Sequence, residues 1–483
     1  MTITGVKIER LSPEQCTTIH NASLEVLART GVRLHLQEAV EMLRKAGAQV
    51  SEGNRARIPA CLVERALNTA PKQFPIFDRF GEPAMLLGGR QNYYGSGSDC
   101  LYIVDHRTNQ RRRAVLQDVV EGAQVGDALP NVDFVMSMFL PSDVDPQISD
   151  VLQMEVMLNN TIKPIVFVTN EFKGCVDAVA MAEAVAGGAD ALSAKPFIAC
   201  YINVTSGLVH NEEALQKLLF LSGKGIPALY LPLVTAGMTG PVTLPGSMAM
   251  LNAGALVGVV LSQLKREGTP VIVPGCGLTI IDMRTMVNPY CSPDGKGITH
   301  VMSRYYSLPN FALGGGAESK LVDEQAAAEA ALTLMSETLN GGNLIHDLGY
   351  LESGLSGSLA QLAICDEIVG WLKHYVAPVE VNEETLMLDL IDEKGPEGSF
   401  ITHEHTLEHF REHWYPKLFE RGNYSQWEKA GGKSLGERAS EQVEKILARD
   451  VKNPLPEEVV QAVKDVILKA SRQAERTMSD NVA

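Results

Sequence analysis

The chain has 483 residues, enough for a large single barrel with extensions or for two or three smaller domains. Its 58 acidic residues against 42 basic ones give a formal charge of -16, which makes phosphate backbones and anionic membranes poor partners and argues against nucleic acid. Eight cysteines without paired spacing, and a charged N-terminus lacking an apolar run, predict reduced thiols, no secretory leader and a cytoplasmic location.

The first ninety residues are predicted to form an N-terminal helical and hairpin extension. Ser12-Pro13-Glu14-Gln15 is a capping box with proline at the first helical position, Gly31 and Gly47 end two helices, and Pro59 opens a third. Phe74 to Arg79 and Pro83 to Leu87 alternate like paired strands joined at Gly81.

From Gln91 the rhythm changes to a short strand, a polar or glycine-rich turn and a longer helix. The strands are expected at Asn92 to Gly95, Asp133 to Phe139, Pro164 to Thr169, Pro196 to Ile202, Ala228 to Leu233, Pro270 to Pro274, Phe311 to Gly314 and Asn343 to His346. Helices are expected at Gln147 to Asn160, Val176 to Ala186, Asn211 to Ser222, Ser247 to Leu264, Glu324 to Leu339 and Leu359 to His374, with an extra hairpin over Leu101 to Val115. Eight such units between residues 91 and 375 match the size of a TIM (β/α)8 barrel better than a doubly wound sheet, which usually has fewer units and a glycine fingerprint.

Between Lys224 and Lys265 the chain carries no charged residue and no histidine. A membrane span needs about 20 apolar residues without strong breakers. The first part is short and rich in proline, and the second contains Ser247, Asn252, Ser262 and Gln263. A buried strand, a glycine-proline turn and a buried helix are therefore favoured over a transmembrane hairpin. Residues 376–483 read as a C-terminal helical extension that wraps the barrel or an identical neighbour, so a homo-oligomer is expected.

In such a barrel chemistry gathers where strands end and their loops begin. Those positions offer Ser96, Ser98, Asp99, Asn170, Glu171, Phe172, Asn203, Thr235, Cys276, Glu318, His346, Tyr350 and Glu352. Lys163, Lys195 and Lys224 precede their strands, which gives little support to a Schiff-base aldolase. Gly314, Gly315 and Gly316 read equally as a phosphate cradle or as a tight turn. Cys276, Cys291 and His346 do not have a spacing that demands a metal, and structural cysteines are favoured, so no metal site is predicted. His403, His405, His409 and His413 would place three imidazoles on one face of a helix, but no zinc-protease motif is completed; a packed helix or subunit contact is favoured. Tyr94, Phe172 and Tyr350 are candidates for an aromatic cage around a cation, whereas Tyr230, inside a strand, reads as core.

The run Gly240-Pro241-Val242-Thr243-Leu244-Pro245-Gly246-Ser247, with Asn252-Ala253, Val260 to Leu264 and Gly268 to Val271, resembles the trimethylamine methyltransferase family. Asn310 to Lys320, Asp323 to Ala327, His346 to Gly354 and Thr402 to Trp414 extend the resemblance over most of the chain. It implies a TIM-barrel enzyme that moves a methyl group from a methylated amine to the cobalt of a separate corrinoid protein. The family's trimethylamine branch uses pyrrolysine; this chain has none, and so resembles the branch acting on quaternary amines such as glycine betaine, proline betaine or carnitine. An arginine for a betaine carboxylate would be expected near the seventh strand end, and Phe311 to Gly316 offers none. No Asp-x-His-x-x-Gly and no dinucleotide motif is present, so the corrinoid is expected on a partner.

On that reading Tyr94, Phe172 and Tyr350 would surround the ammonium, with His346 as the catalytic candidate. Asn170, Asn203 and Thr235 would place the rest of the substrate, and Glu318 and Glu352 are further candidates. Two other readings are a lyase or transferase holding a phosphorylated molecule at Gly314 to Gly316, and a non-catalytic amine-binding subunit.

Overall fold

The computed structural model describes residues 8–449 and 454–482. Seven strands form one parallel sheet: β1 (Tyr93–Ser96), β2 (Ile165–Val168), β3 (Ile198–Val204), β4 (Ala228–Pro232), β5 (Val271–Pro274), β6 (Asn310–Leu313) and β7 (Leu344–Leu348). Their order is β1-β7-β6-β5-β4-β3-β2, so strands adjacent in the chain from β2 onward are adjacent in the sheet and the last lies beside the first. The result is an α/β fold built on a parallel half-barrel.

The segment expected as a strand at Asp133 to Phe139 departs from regular pairing. It meets the two edge strands through isolated bridges, Gly95 with Phe134 and Val135 with Ile165. Side chains take over the missing ladder bonds. The Ser96 hydroxyl accepts from Met136 N–H at 3.0 Å and donates to the Met136 carbonyl at 3.1 Å, while Asp133 accepts from Tyr94 N–H at 2.9 Å.

Helices Ser149–Asn160, Phe172–Ala186, Glu212–Lys224, Leu244–Lys265, Glu324–Asn340 and Leu359–Tyr375 alternate with the strands, close to the spans the sequence predicts. Leu244–Lys265 is the uncharged segment. Among the described residues it alone is long and apolar enough to cross a membrane, with mean hydropathy 1.7, and 78% of that window is buried inside the protein. The N-terminal helices Pro13–Glu25 and Ala60–Thr69 pack on it. Its one amide in that contact is satisfied, since Asn252 donates to Ser23 Oγ at 2.9 Å and to the Tyr306 hydroxyl at 2.8 Å. Gly254 and Gly258 let the helix approach closely: a Cβ at Gly254 would overlap the Gly207 carbonyl, and one at Gly258 would overlap the Tyr230 ring. Tyr230 is a core residue, its hydroxyl 2.7 Å from His210 Nδ1.

Alternate strand residues point into the sheet's concave side, where Val166, Ala199, Leu229, Leu231, Ile272, Phe311 and Leu344 form an inner core with Phe134 and Met136. The predicted hairpin, Phe74–Phe77 with Pro83–Leu87, adds Phe74, Ile76, Met85 and Leu87 to that core. It is fixed at the N-terminal strand ends, where the Tyr93 hydroxyl accepts from Leu86 N–H at 2.9 Å and Phe77 N–H donates to the Pro196 carbonyl at 2.9 Å. Lys195 and Lys163 hold backbone carbonyls of Gly81, Gly126 and Leu129 on the same side.

The tail wraps its own chain. Helix Leu435–Leu447 packs on Leu116–Ala128 and Leu359–Tyr375, and Glu457–Val482 packs on Ser149–Asn160 and Phe172–Ala186. The histidine-rich stretch is not a continuous helix: it ends at His409 after six residues, leaving His413 outside. The expected three-histidine face is therefore absent, although the rings of His405 and His409 lie 4.4 Å apart.

Candidate functional site

A cavity of about 390 Å³ opens at the C-terminal ends of the strands. Ser98 and Asp99 reach it from the loop after β1, Tyr201 and Asn203 from β3, and Thr235 from beyond β4. Cys276 and Thr279 follow β5, Asn288 and Tyr290 come from the long loop beyond, and His346, Asp347 and Tyr350 come from β7 and its turn. Two small sheets brace this rim. Val234–Ala236 runs parallel to Leu278–Ile280 with Thr235 opposite Thr279, and the hairpin Tyr102–Val104 with Arg111–Arg113 is continued by Ser356–Gly357 and Tyr350–Leu351.

The end of β7 is irregular in a consequential way. Pairing with β1 shifts between Ile345 and Leu348, and Asp347 takes φ 86°, left-handed for a residue with a side chain. In a regular strand consecutive side chains face opposite sides; this bulge places both His346 and Asp347 on the cavity wall. Asp99, at φ 61°, is a second aspartate in the same backbone region and on the same wall.

Hydrogen bonding fixes the tautomer of His346. His346 Nδ1 lies 2.7 Å from the Ala312 carbonyl, which can only accept, so the proton is on Nδ1 and Nε2 is left with its lone pair. That nitrogen faces Asp347 Oδ1 at 3.2 Å. The two atoms form no hydrogen bond; burial pushes Asp347 up to about 8, against the opposing pull of Lys296. Burial also drives His346 down to about 3, so the imidazole is neutral at physiological pH. Its ring stacks on Phe311 with centroids 3.8 Å apart. Asp347 Oδ2 is buried without a hydrogen-bond partner. Asp99 is raised to about 7 by burial, with the Asp150 carboxylate adding to the shift.

Three rings face the cavity: Tyr201, Tyr290 and Tyr350. Tyr350 is the most constrained, its hydroxyl donating to the Ser98 carbonyl and accepting from Ser98 N–H at 2.6 Å. A Cβ at Gly97 would overlap its ring, so glycine is required there. Tyr290 stands 6.5 Å from Tyr350, centroid to centroid. No lysine or arginine lines the cavity among the described residues; the Lys296 ammonium is bound to the Leu313 carbonyl at 2.8 Å.

Of the residues expected from sequence, Ser98, Asp99, Asn203, Thr235, Cys276, His346 and Tyr350 are brought together. The others are not. Tyr94 points away from the cavity, and its hydroxyl meets Thr338 Oγ1 of an outer helix at 2.9 Å. Phe172 begins a helix and packs edge-on against Phe220. Asn170 is exposed, tied to Asp150 at 2.8 Å through its N–H. Glu318 accepts from Cys291 N–H at 3.0 Å, and Glu352 is paired with Arg111 Nε at 2.9 Å.

The three glycines form a tight buried turn rather than a phosphate cradle. Gly314 N–H donates to the His346 carbonyl at 2.9 Å and Gly315 N–H to Thr333 Oγ1 at 3.0 Å, so these donors are spent within the fold. Among the described residues no group of three His, Cys, Asp or Glu is placed to hold a metal ion. Sequence reasoning missed Asp347, Tyr201 and Tyr290 as site residues. For Tyr201 the signal was its two-residue spacing from Asn203 on one strand.

Residues 2–476 match the family described as trimethylamine methyltransferase (MTTB). A trimethylamine methyltransferase MttB of Desulfitobacterium hafniense (strain DSM 10664 / DCB-2) is 33% identical over 470 residues, 96% of this chain and 94% of that one. A glycine betaine methyltransferase of Desulfitobacterium hafniense (strain Y51) is 30% identical over 461 residues, covering 94% and 95%. Among solved structures, the monomethylamine methyltransferase of Methanosarcina barkeri aligns over 98% of this chain and 90% of its own, with 12% identity and a TM-score of 0.49. Matched over nearly its whole length, the chain belongs to the trimethylamine methyltransferase family.

Proposed function

We propose that this protein transfers a methyl group from a quaternary methylated amine to the reduced cobalt of a corrinoid carried by a separate protein. One observation carries the reading: Tyr201, Tyr290 and Tyr350 converge with Asp99 and Asp347 on one cavity at the strand ends. Ring faces and carboxyl groups are what a quaternary methylammonium needs, since it has no N–H to donate and is held by its charge. The relatives' names supply the reaction class. The strand order further supports eight units closing as a TIM barrel over residues 91–375, flanked by extensions at residues 1–90 and 376–483.

A quaternary ammonium leaves as a neutral tertiary amine, the electron pair of the broken C–N bond staying on nitrogen, so no general acid is needed. This agrees with an imidazole held neutral: His346 gives its one N–H to Ala312 and has no acidic proton to deliver. The acceptor's reduced cobalt would supply the electron pair for the new bond to carbon. What the chain contributes is placement and the exclusion of water, with one N-methyl directed towards the mouth. Positive charge leaves nitrogen in the transition state, so too strong a grip on the ammonium would stabilise the substrate more. Tyrosine faces with carboxyls of raised pKa give a moderate grip.

The test mixes purified protein, a reduced corrinoid carrier and a panel of methylated amines, and follows methyl-cobalt formation by absorbance. Transfer from at least one quaternary amine is expected; transfer from none would end this reading.

A further inference from the structure

We infer that the cavity selects methylammonium ions that carry no carboxylate, with Asp347 and Asp99 as the charge-selecting residues. The inference rests on the amine site proposed above and narrows its substrate class to tetraalkylammonium and amino-alcohol cations rather than betaines.

The polar groups of the wall are two carboxyls, hydroxyls, two asparagine amides, one thiol and a neutral imidazole. A betaine carboxylate entering this cavity would meet no lysine or arginine on the lining among the described residues. The Lys296 ammonium, whose charge acts on Asp347, is engaged with the Leu313 carbonyl and lies 4.0 Å from Glu337. His346 offers no donor either, because its one N–H is given to Ala312.

Charge balance leads to the same conclusion. A buried cation needs a counter-charge, and loss of one proton from either aspartate supplies it. A zwitterion is already neutral as a whole, gains nothing from that proton loss, and sets its own carboxylate beside an aspartate that would ionise. Asp347 is built for such a role: it is buried, turned onto the cavity wall by the bulge at the end of β7, and keeps Oδ2 without a partner. An orphaned buried carboxyl oxygen is costly to keep, and a ligand of opposite charge relieves that cost.

The experiment measures binding by calorimetry on the full chain without any corrinoid protein, so it does not depend on methyl transfer. The probes are tetramethylammonium, choline, glycine betaine and the uncharged carbon isostere of choline. Tetramethylammonium and choline are expected to bind about tenfold or more tightly than glycine betaine, and the uncharged isostere is expected to give no measurable heat. Asp347→Asn should weaken the two cations by about tenfold and narrow their advantage over glycine betaine. Asp99→Asn provides a second variant should the first fail to fold.

Equal or tighter binding of glycine betaine to the unmodified protein overturns the inference, as does an absence of binding by both cations. Cation binding without methyl transfer to any corrinoid would overturn the proposed reaction while leaving this selectivity in place. Betaine-selective binding followed by transfer would do the reverse.

Discussion

His346 Nε2 lies 3.2 Å from Asp347 Oδ1, and because the other ring nitrogen donates to Ala312, a lone pair stands beside the buried carboxyl and disfavours its ionised form. The folded chain therefore holds a proton that the unfolded chain releases near pH 4. Stability from this group is complete below about pH 3.8 and is lost progressively as pH rises to about 8, where the native carboxyl itself ionises.

Asp347→Asn removes that titration while keeping the size of the side chain. The variant should gain on the unmodified protein between pH 5 and pH 8, by on the order of a few kcal/mol. His346 is depressed and works in the opposite direction, its contribution being present above about pH 6.5 and lost as pH falls towards 3. It is common to both proteins, so the difference between their unfolding curves isolates the aspartate. Parallel stability-pH curves would contradict the protonated aspartate.

The aromatic wall can be tested without turnover. Tyr290→Ala should weaken tetramethylammonium binding by about 3- to 30-fold, the range expected for losing one cation-π face. Tyr94→Leu, which removes that ring, should leave it unchanged, since Tyr94 points to the outer helices with its hydroxyl on Thr338. Equal losses from both would move the cage back to the position the sequence suggested.

Tyr350→Phe removes one hydroxyl that serves both polar groups of Ser98. The buried N–H and carbonyl left behind should lower stability by about 1–3 kcal/mol in a denaturant titration. The loops after β1 and β7 lose their link, so KM for the amine should rise more than kcat falls. A fall in kcat alone would assign the tyrosine a different part in the reaction.

Gly258→Ala drives a methyl group into the Tyr230 ring, and that ring is tied to His210 and cannot retreat freely. A loss of about 1–3 kcal/mol is expected. Gly223→Ala, in helix Glu212–Lys224 with only the flexible Lys265 side chain nearby, should be neutral or stabilising by up to about 1 kcal/mol. Similar effects of the two substitutions would mean that close helix packing is not what Gly258 provides.

The architecture was legible where a pattern is local. The uncharged run from Gly225 to Leu264 announced a buried strand and helix, and Gly81 announced the hairpin turn. The site was legible only in part, because its membership depends on strand parity and register. Tyr93 and Tyr94 are adjacent, yet one faces the inner core and the other the outer helices. Asp347 follows His346 and would be read as facing away; the bulge that turns it inward leaves no mark in composition. Tyr290 lies in a long loop without period, so nothing local points to it. Phe172 misled for the opposite reason, since it follows a strand end in the chain but begins a helix in space.

The hairpin Phe74–Leu87 stoppers the far end of the sheet's interior, and the apolar layer above it is filled. The interior is closed on the hairpin side, and the way into the cavity lies at the C-terminal rim. In the proposed transfer, amine and corrinoid both use that rim, so a docked carrier stands across the amine's way. The amine has to enter before the carrier docks, and the demethylated product has to wait until the carrier withdraws. Kinetics on the assembled system should then follow a compulsory order, with excess carrier slowing product escape rather than accelerating it.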